Sequence, residues 1–210
     1  MSGDAATEAP RKLQARAVAT RRRLLKATIE CMVELGHSRT TTTEVCRRAG
    51  VSQGALYKHF ATKQDLLGAT VEHLFLDLIE GYRSALSDAV QAHEDRIAAA
   101  LELLWATFRA PALMAAFELY TAARTDPELR EALRPVLEQH RANLRDEARR
   151  LFPEAAATNP RFDDAVAGIL STLQGAAMME MALPSPDAGR AELAFLDAVA
   201  RRELEPEAPR

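Results

Sequence analysis

Apolar residues recur every three or four positions along nearly the whole chain, the spacing of helices that bury one face. Between about Ala17 and Leu35 two rows, Leu25, Ile29, Met32 and Leu24, Thr28, Cys31, Leu35, keep that period, and Gly36 ends it. From Lys63 to about Ala89 the positions Leu66, Leu67, Val71, Leu74, Phe75, Leu78 and Ile79 predict one long helix. Further helices are predicted at roughly Glu94 to Arg109, Pro111 to Ala123, Pro127 to Leu151, Pro160 to Ala182 and Ala188 to Arg202. Pro111, Pro127 and Pro160 each suit a helix start, where the missing amide costs nothing, and Asp126 is placed to cap the helix that Pro127 opens. Alternating strand patterns, Asn-Gly hairpins and internal repeats are missing, so the fold is expected to be all-α. Residues 1 to about 15 are small, charged and proline-containing, and predict a mobile basic tail. A three-helix N-terminal domain over residues 16–62 and a larger helical domain over 63–210 follow from these boundaries.

The most informative stretch is TTTTEVCRRAGVSQGALYKHFATKQDLL, from Thr40 to Leu67. Thr41 is expected to open a short helix as one half of a capping box, its hydroxyl accepting from the Glu44 amide while the Glu44 carboxylate reaches back to the Thr41 amide. Val45, Cys46 and Ala49 place small or apolar groups on one face, and Gly50 supplies the left-handed backbone that ends the helix. Ser52 caps the next helix, of which only Gln53 to His59 follow before another break, too few to be stable without tertiary packing. Leu56 and Phe60, four apart, supply the anchor. The other face carries Gln53, Gly54, Ala55, Tyr57, Lys58 and His59, small, hydrogen-bonding and cationic groups with no large aliphatic among them. Such a face suits a DNA groove better than a protein core.

The run Thr41-x-x-Glu44-Val45-Cys46-x-x-Ala49-Gly50-Val51-Ser52-x-Gly54-x-Leu56-Tyr57-x-His59-Phe60-x-x-Lys63-x-x-Leu66 resembles the helix-turn-helix of TetR-type transcriptional regulators. With the preceding helix the resemblance spans about sixty residues, and Cys46 stands where alanine is commoner. It implies a sequence-specific, DNA-binding regulator. Thr41, Thr43 and Ser52 are expected at the DNA, the two caps also presenting donors to phosphates. Tyr57 and His59 resemble the family's phosphate-contacting pair, with Lys63 as a further cation beside the backbone; Tyr57 could also be a half-buried aromatic closing the small domain. Gln53 by its amide suits adenine, Lys58 guanine and Ala55 a thymine methyl, while Gly54 permits close approach.

Charge distribution agrees. Residues 1–66 hold 12 Lys and Arg against 6 Asp and Glu, a balance of +6, and the rest of the chain balances at −9, giving the formal −3. A basic first third on an acidic body is expected where one end meets a polyanion and the other does not. Arg11, Lys12 and Arg16 are candidates for a minor-groove arm, and Arg21, Arg22 and Arg23 for contacts near the backbone, the alternative for each being a solvated helix face.

In the later helices the row Ala165, Gly168, Thr172, Gly175, Met179 is small and spaced for close helix contact, with Val166, Ile169, Leu170 and Leu173 widening the apolar surface. Leu193, Leu196, Val199 and Ala200 form a second stripe. The resemblance implies that the two helices meet their copies in a four-helix bundle, making a homodimer that places two reading helices on one face of a palindromic operator in double-stranded DNA. Trp105, Phe108, Met114, Phe117, Tyr120, Met178 and Met181 are candidates to line a pocket for a small, largely apolar effector, with Arg109, Glu118, Arg124 and Glu180 as polar anchors. Each could equally be core or surface. A dimeric repressor released by such an effector is the implied mode of action, with an activator, or a regulator without an effector, as the alternative.

Enzymatic chemistry finds no support. G-x-S-x-G, HExxH, Gly-rich phosphate loops and paired CxxC ligands are missing, and five histidines are scattered, with His73 and Asp77 the one pair at a metal-compatible spacing. No metal or cofactor is expected. Cys31 and Cys46 fall at core-facing positions and read as buried thiols. The polar opening MSGDAATEAPRK and the want of eighteen consecutive apolar residues predict a cytosolic protein with no membrane partner.

Overall fold

The structure, a computed structural model, describes residues 5–92 and 95–205. Among them are ten α-helices, one 3-10 turn and no strand. Helix α1 is Ala5–Leu35, and a 3-10 turn at His37–Arg39 leads to α2, Thr42–Ala49, and α3, Gln53–Tyr57. Then come α4, Lys63–Ala92, α5, Arg96–Phe108, α6, Pro111–Ala122, and α7, Pro127–Leu151. The chain closes with α8, Pro153–Thr158, α9, Phe162–Ala182, and α10, Arg190–Leu204.

Three boundaries differ from expectation. Helix α1 begins at Ala5 where a mobile tail was expected through residue 15, because Ala, Glu, Lys, Leu, Gln and Arg in that stretch are all good helix formers. The short α8 was not expected; Pro153 at its start and its run of alanines explain it. Helix α9 starts at Phe162 and leaves Pro160 in the turn before it, where Asn159 Oδ1 accepts from the Arg161 amide at 2.9 Å. Pro111 and Pro127 open helices as the sequence indicates, and Asp126 caps α7 by accepting from the Leu129 amide at 2.9 Å.

The helices form two compact units, and the division falls within α4 instead of at its start. The first comprises residues up to Leu74 together with Glu118–Val136. Its core joins Leu24, Ala27 and Cys31 of α1 to Val45 and Cys46 of α2, Leu56 of α3, Phe60 and Leu66. Both cysteines are buried free thiols, and burial raises their pKa. Gly50 ends α2 in the left-handed conformation with φ 63°, as its place in the motif requires. Two contacts seat the 118–136 segment on this core. Glu118 Oε2 accepts from the backbone amide of His37 at 2.8 Å, beside Gly36 at φ +77°. Gly68 of α4 lies where a Cβ would stand 3.0 Å from the Ala132 carbonyl of α7, so any side chain there would press on that backbone.

The second unit comprises Phe75–Phe117 and Leu137–Arg210. Within it α10 packs on α9 and α5, and α5 on α9. Two of its carboxylates are buried, which is tolerable only because each is paired. Burial alone would raise the Glu147 pKa, but bonds from Arg150 and from Arg83, the latter at 2.6 Å, outweigh it and hold the group below the usual carboxylate range. Glu203 is held low by Asn159 and Arg202, with Arg161 3.0 Å away. Gly189, at φ +77°, gives its missing Cβ space to the Trp105 ring, which would lie 2.4 Å from that atom. His140 stacks on Phe75 with centroids 3.7 Å apart, its buried Nδ1 without a hydrogen-bond partner, and burial lowers its pKa to about 4.

Two outcomes are expected. Because folded His140 resists protonation while the unfolded chain takes it up near pH 6.5, stability falls as pH drops from about 6.5 toward 4; His140→Leu makes denaturant-melt stability less steep between about pH 6.5 and 5, the remaining slope there coming from His37, whose pKa burial also lowers. Ser52 Oγ caps α3 by accepting from the Ala55 amide at 3.2 Å. Ser52→Ala therefore costs about 1 kcal/mol in the same melts and Ser52→Gly only a few tenths.

Candidate nucleic-acid interface

Five residues cannot hold a helix by themselves, so α3 takes its orientation from Leu56, which is fully buried, and from Phe60 just beyond its end. With those two turned inward, Ser52, Gln53, Gly54, Tyr57 and Lys58 are exposed and Ala55 and His59 partly so. The structure thus brings seven of the sequence-identified residues together on one side of a short helix. Tyr57 is 50 % exposed, half covered and half open, so it can pack against the small domain and still offer its hydroxyl outward. Thr41 and Thr43, both exposed at the first turn of α2, join this surface through a hydrogen bond from Gln53 Nε2 to Thr43 Oγ1 at 2.8 Å.

Thr41 Oγ1 accepts from the Glu44 amide at 3.2 Å as expected. The reciprocal half of the box does not form: the Glu44 carboxylate is taken by Arg47, at 2.9 Å from its Nε, and lies 3.6 Å from Arg48. Two guanidiniums in the same helix outcompete one backbone amide for a charged acceptor. A complete box stands instead at the start of α4, where Thr62 Oγ1 accepts from the Asp65 amide and Asp65 Oδ2 from the Thr62 amide, both at 3.0 Å. Its T-x-x-D pattern was readable in the sequence and passed over.

Lys63 is less open than its expected role suggests. Expected as a cation beside the DNA backbone, it is partly buried; burial lowers its pKa while the nearby Asp126 charge opposes the shift. It also lies close enough to His37 to lower that group's pKa, after burial as the larger cause. Asp126, 63 residues later in the chain, comes near enough to act on the ammonium only in the folded state. Of the basic residues in α1, Arg16, Arg22 and Arg23 are exposed, and Arg21 sits over the Phe60 ring, 5.4 Å from its centroid, beside the end of α3. The side chains of Arg11 and Lys12 lie outside the described residues.

The expected effector residues divide between the two units. Trp105, Phe108 and Phe117 are buried in the second unit, the two phenylalanine rings 6.4 Å apart, with Met114 and Met178 partly buried there and Met181 exposed. Arg109 and Glu180 are spent on each other, 2.6 Å apart, and Arg109 also lies over Trp105. Tyr120, Arg124 and Glu118 belong to the first unit, where Glu118 is committed to His37. A cavity of about 420 Å³ lies elsewhere, lined by Asp95, Arg96, Ile97, Phe152, Arg201, Leu204 and Glu205, none of them an expected effector residue. Trp105, Phe108 and Phe117 are core here, since the bulk that suits them to a pocket suits them equally to close packing.

Of the expected dimer contacts, Gly168, Gly175 and Met179 are exposed, and Ala165, Thr172, Leu193 and Val199 partly so. Ile169 and Leu196 are corrections: at 5 % and 2 % exposure they are packed inside this chain. The sequence missed Phe195, 63 % exposed on α10 among exposed Ala191, Ala194 and Ala198. Helix α9 is long and apolar enough to match a membrane span, with mean hydropathy 1.2, yet only 22 % of that window is buried. Among the described residues no three His, Cys, Asp or Glu side chains gather as a metal site requires.

The geometry can now be set against known proteins. A sequence model of the N-terminal region of bacterial regulatory proteins of the tetR family matches residues 24–70, from the core of α1 into α4. An uncharacterized HTH-type transcriptional regulator of Mycobacterium tuberculosis is 32 % identical over 189 residues, covering 90 % of this chain and 96 % of that protein. The HTH-type transcriptional regulator CymR of Pseudomonas putida is 33 % identical over 137 residues, 65 % of this chain and 67 % of its own. In structure, a TetR transcription regulator from Haloarcula marismortui superposes with a TM-score of 0.70 at 18 % identity, covering 89 % of this chain and 98 % of the other. Regulators of this family bind DNA, typically act as dimers and are not enzymes. A helix-turn-helix matched across its core, an all-helical fold shared with such regulators and a relative similar over nearly its full length place this chain in the tetR family of bacterial regulatory proteins, as a DNA-binding transcriptional regulator.

Proposed function

We propose that this regulator binds a palindromic operator as a homodimer through Thr41, Thr43, Ser52, Gln53, Gly54, Ala55, Tyr57, Lys58 and His59, and represses transcription until a small, largely apolar effector releases it. The observation that carries the DNA contact is the orientation of α3: Leu56 is sealed in the core while Gln53, Gly54, Tyr57 and Lys58 face outward. Tyr57 and His59 hold phosphates and Gln53, Ala55 and Lys58 read base edges. The opposed charge balances of the first 66 residues and the remainder favour contact at that end alone. Lys63, partly buried and near the Asp126 charge, is left out of the contact set.

Pairing is supported by the apolar surface that α9 and α10 leave uncovered: Gly168, Gly175 and Met179 on one, Phe195 and its alanine neighbours on the other. Small residues allow two helices to approach closely, and a five-residue reading helix needs a second copy to contact enough duplex for specific binding. Effector release follows from linkage: a ligand preferring the arrangement whose reading helices miss the half-site spacing lowers operator affinity by the ratio of its affinities for the two arrangements. Helix α4 suits transmission, since its residues up to Leu74 belong to the first unit and those from Phe75 to the second. Residues 63–210 serve as the effector-binding and dimerisation part in this reading, and Trp105, Phe108 and Met178 repack to admit the ligand. The cytoplasm is where such a protein meets its operator.

Gel shift against DNA upstream of the protein's own gene tests the reading. A salt-sensitive complex is expected; Lys58→Ala lowers the slope of log affinity against log salt by about 1, Tyr57→Ala weakens binding on every sequence, and Lys63→Ala leaves the slope as it was. A complex insensitive to salt, or none with any duplex, overturns it. For pairing, light scattering is expected to give a dimer for the natural chain and a folded monomer for Phe195→Glu; a Phe195→Glu dimer places the seam elsewhere.

A further inference from the structure

Gln53 opens α3 and Thr43 lies in the first turn of α2, ten residues apart in the chain and both exposed. The bond between them, Gln53 Nε2 to Thr43 Oγ1 at 2.8 Å, ties the first residue of the reading helix to the helix that supports it. Neutral and solvent-exposed, it contributes little to folding, because water offers both groups equivalent partners. Its physical consequence is geometric. A free glutamine carries three rotatable bonds and an amide whose oxygen and nitrogen ends exchange places by a half-turn, and a hydrogen bond at one end removes most of that freedom.

We infer that Thr43 is a positioning residue for Gln53, holding the nitrogen end of its amide on the α2 side so that Gln53 meets the base edge in one polarity. This rests on the reading of the α3 face as the DNA contact. The donor count permits it. The amide nitrogen has two N–H groups and the oxygen two lone pairs. Thr43 takes one N–H, leaving the other to donate to adenine N7 and Oε1 to accept from adenine N6, the pair of contacts that distinguishes adenine in the major groove. In the opposite polarity the same edge would present an oxygen to N7, acceptor against acceptor. Thr43 settles that choice before DNA arrives, so less side-chain freedom is lost on binding. A hydroxyl acting only on phosphate would strengthen all sequences alike, which separates the two roles.

Selection from random duplexes at fixed salt, with the full-length protein, Gln53→Ala, Thr43→Val and Thr43→Ser, tests the assignment. The natural chain is expected to enrich a two-fold site, and Gln53→Ala to lose its preference at one base pair in each half-site. Thr43→Val is expected to lose preference at that same base pair by about tenfold, with discrimination at the other base pairs unchanged, and Thr43→Ser to restore it. In the free protein, Thr43→Val is expected to bring the two Gln53 side-chain amide proton resonances to the positions of a freely rotating glutamine, a readout independent of any DNA. Thr43→Val with the natural preference intact, Thr43→Val weakened equally on every sequence, or Thr43→Ser without rescue would each overturn the inference. If the natural chain enriches no sequence, the DNA-binding reading itself fails.

Discussion

The burial of one leucine decides what the rest of the head presents. Helix α3 is five residues long, too short to persist by hydrogen bonding alone, and Leu56 in the shared core of α1 and α2 supplies what local structure cannot. With Leu56 fully buried and Phe60 nearly so, the rotation of α3 about its axis is set, and Gln53, Gly54, Tyr57 and Lys58 have nowhere to go but outward. Ser52 at the N-terminus of α3 and Gly50 at the end of α2 fix where the helix begins and how the chain turns into it. The proposed reading surface is in this sense the complement of a hydrophobic contact.

Charge pairing does a comparable task. In the head, Glu44 holds Arg47 and Arg48 along α2, Glu118 holds the His37 amide and Asp126 stands near Lys63. Each carboxylate that engages a basic or donor group inside the fold takes it out of the set open to phosphates, so the interface is narrower than the count of basic residues suggests. In the second unit, Glu147 and Glu203 are buried and satisfied by arginines and Asn159, while Arg109 and Glu180 neutralise each other beside Trp105. Those polar groups are committed to structure, so the effector proposed above would meet them only by displacing existing contacts. The uncovered surfaces of α9 and α10 are by contrast small and apolar at Gly168, Gly175, Phe195 and its alanine neighbours, with the exposed Arg190 and Arg202 toward the two ends of α10.

The chain's own sequence determined the all-helical class, the placement of the helix-turn-helix, its caps at Thr41 and Ser52, the glycine turn at Gly50, the cap at Asp126 and the inward facing of Leu56 and Phe60. The caps and the turn are set by interactions within about one helical turn, where residue type and spacing are enough, and the four-residue spacing of Leu56 and Phe60 puts them on one face for the core to bury. What only the tertiary structure decided are settings that depend on residues far apart in the chain: Lys63 partly buried near the Asp126 charge, Glu118 bonded to an amide 81 residues away, and Arg109 paired with Glu180, 71 residues away. The same holds for Ile169 and Leu196, which periodicity places on an apolar stripe without saying which side of it faces the chain's own core, and for Phe195, which that core leaves outside. Trp105, Phe108 and Phe117 likewise could line a pocket or fill a core by composition, and packing chose the core. Amphipathic spacing tells which residues share a face; only the neighbouring helices determine what that face meets.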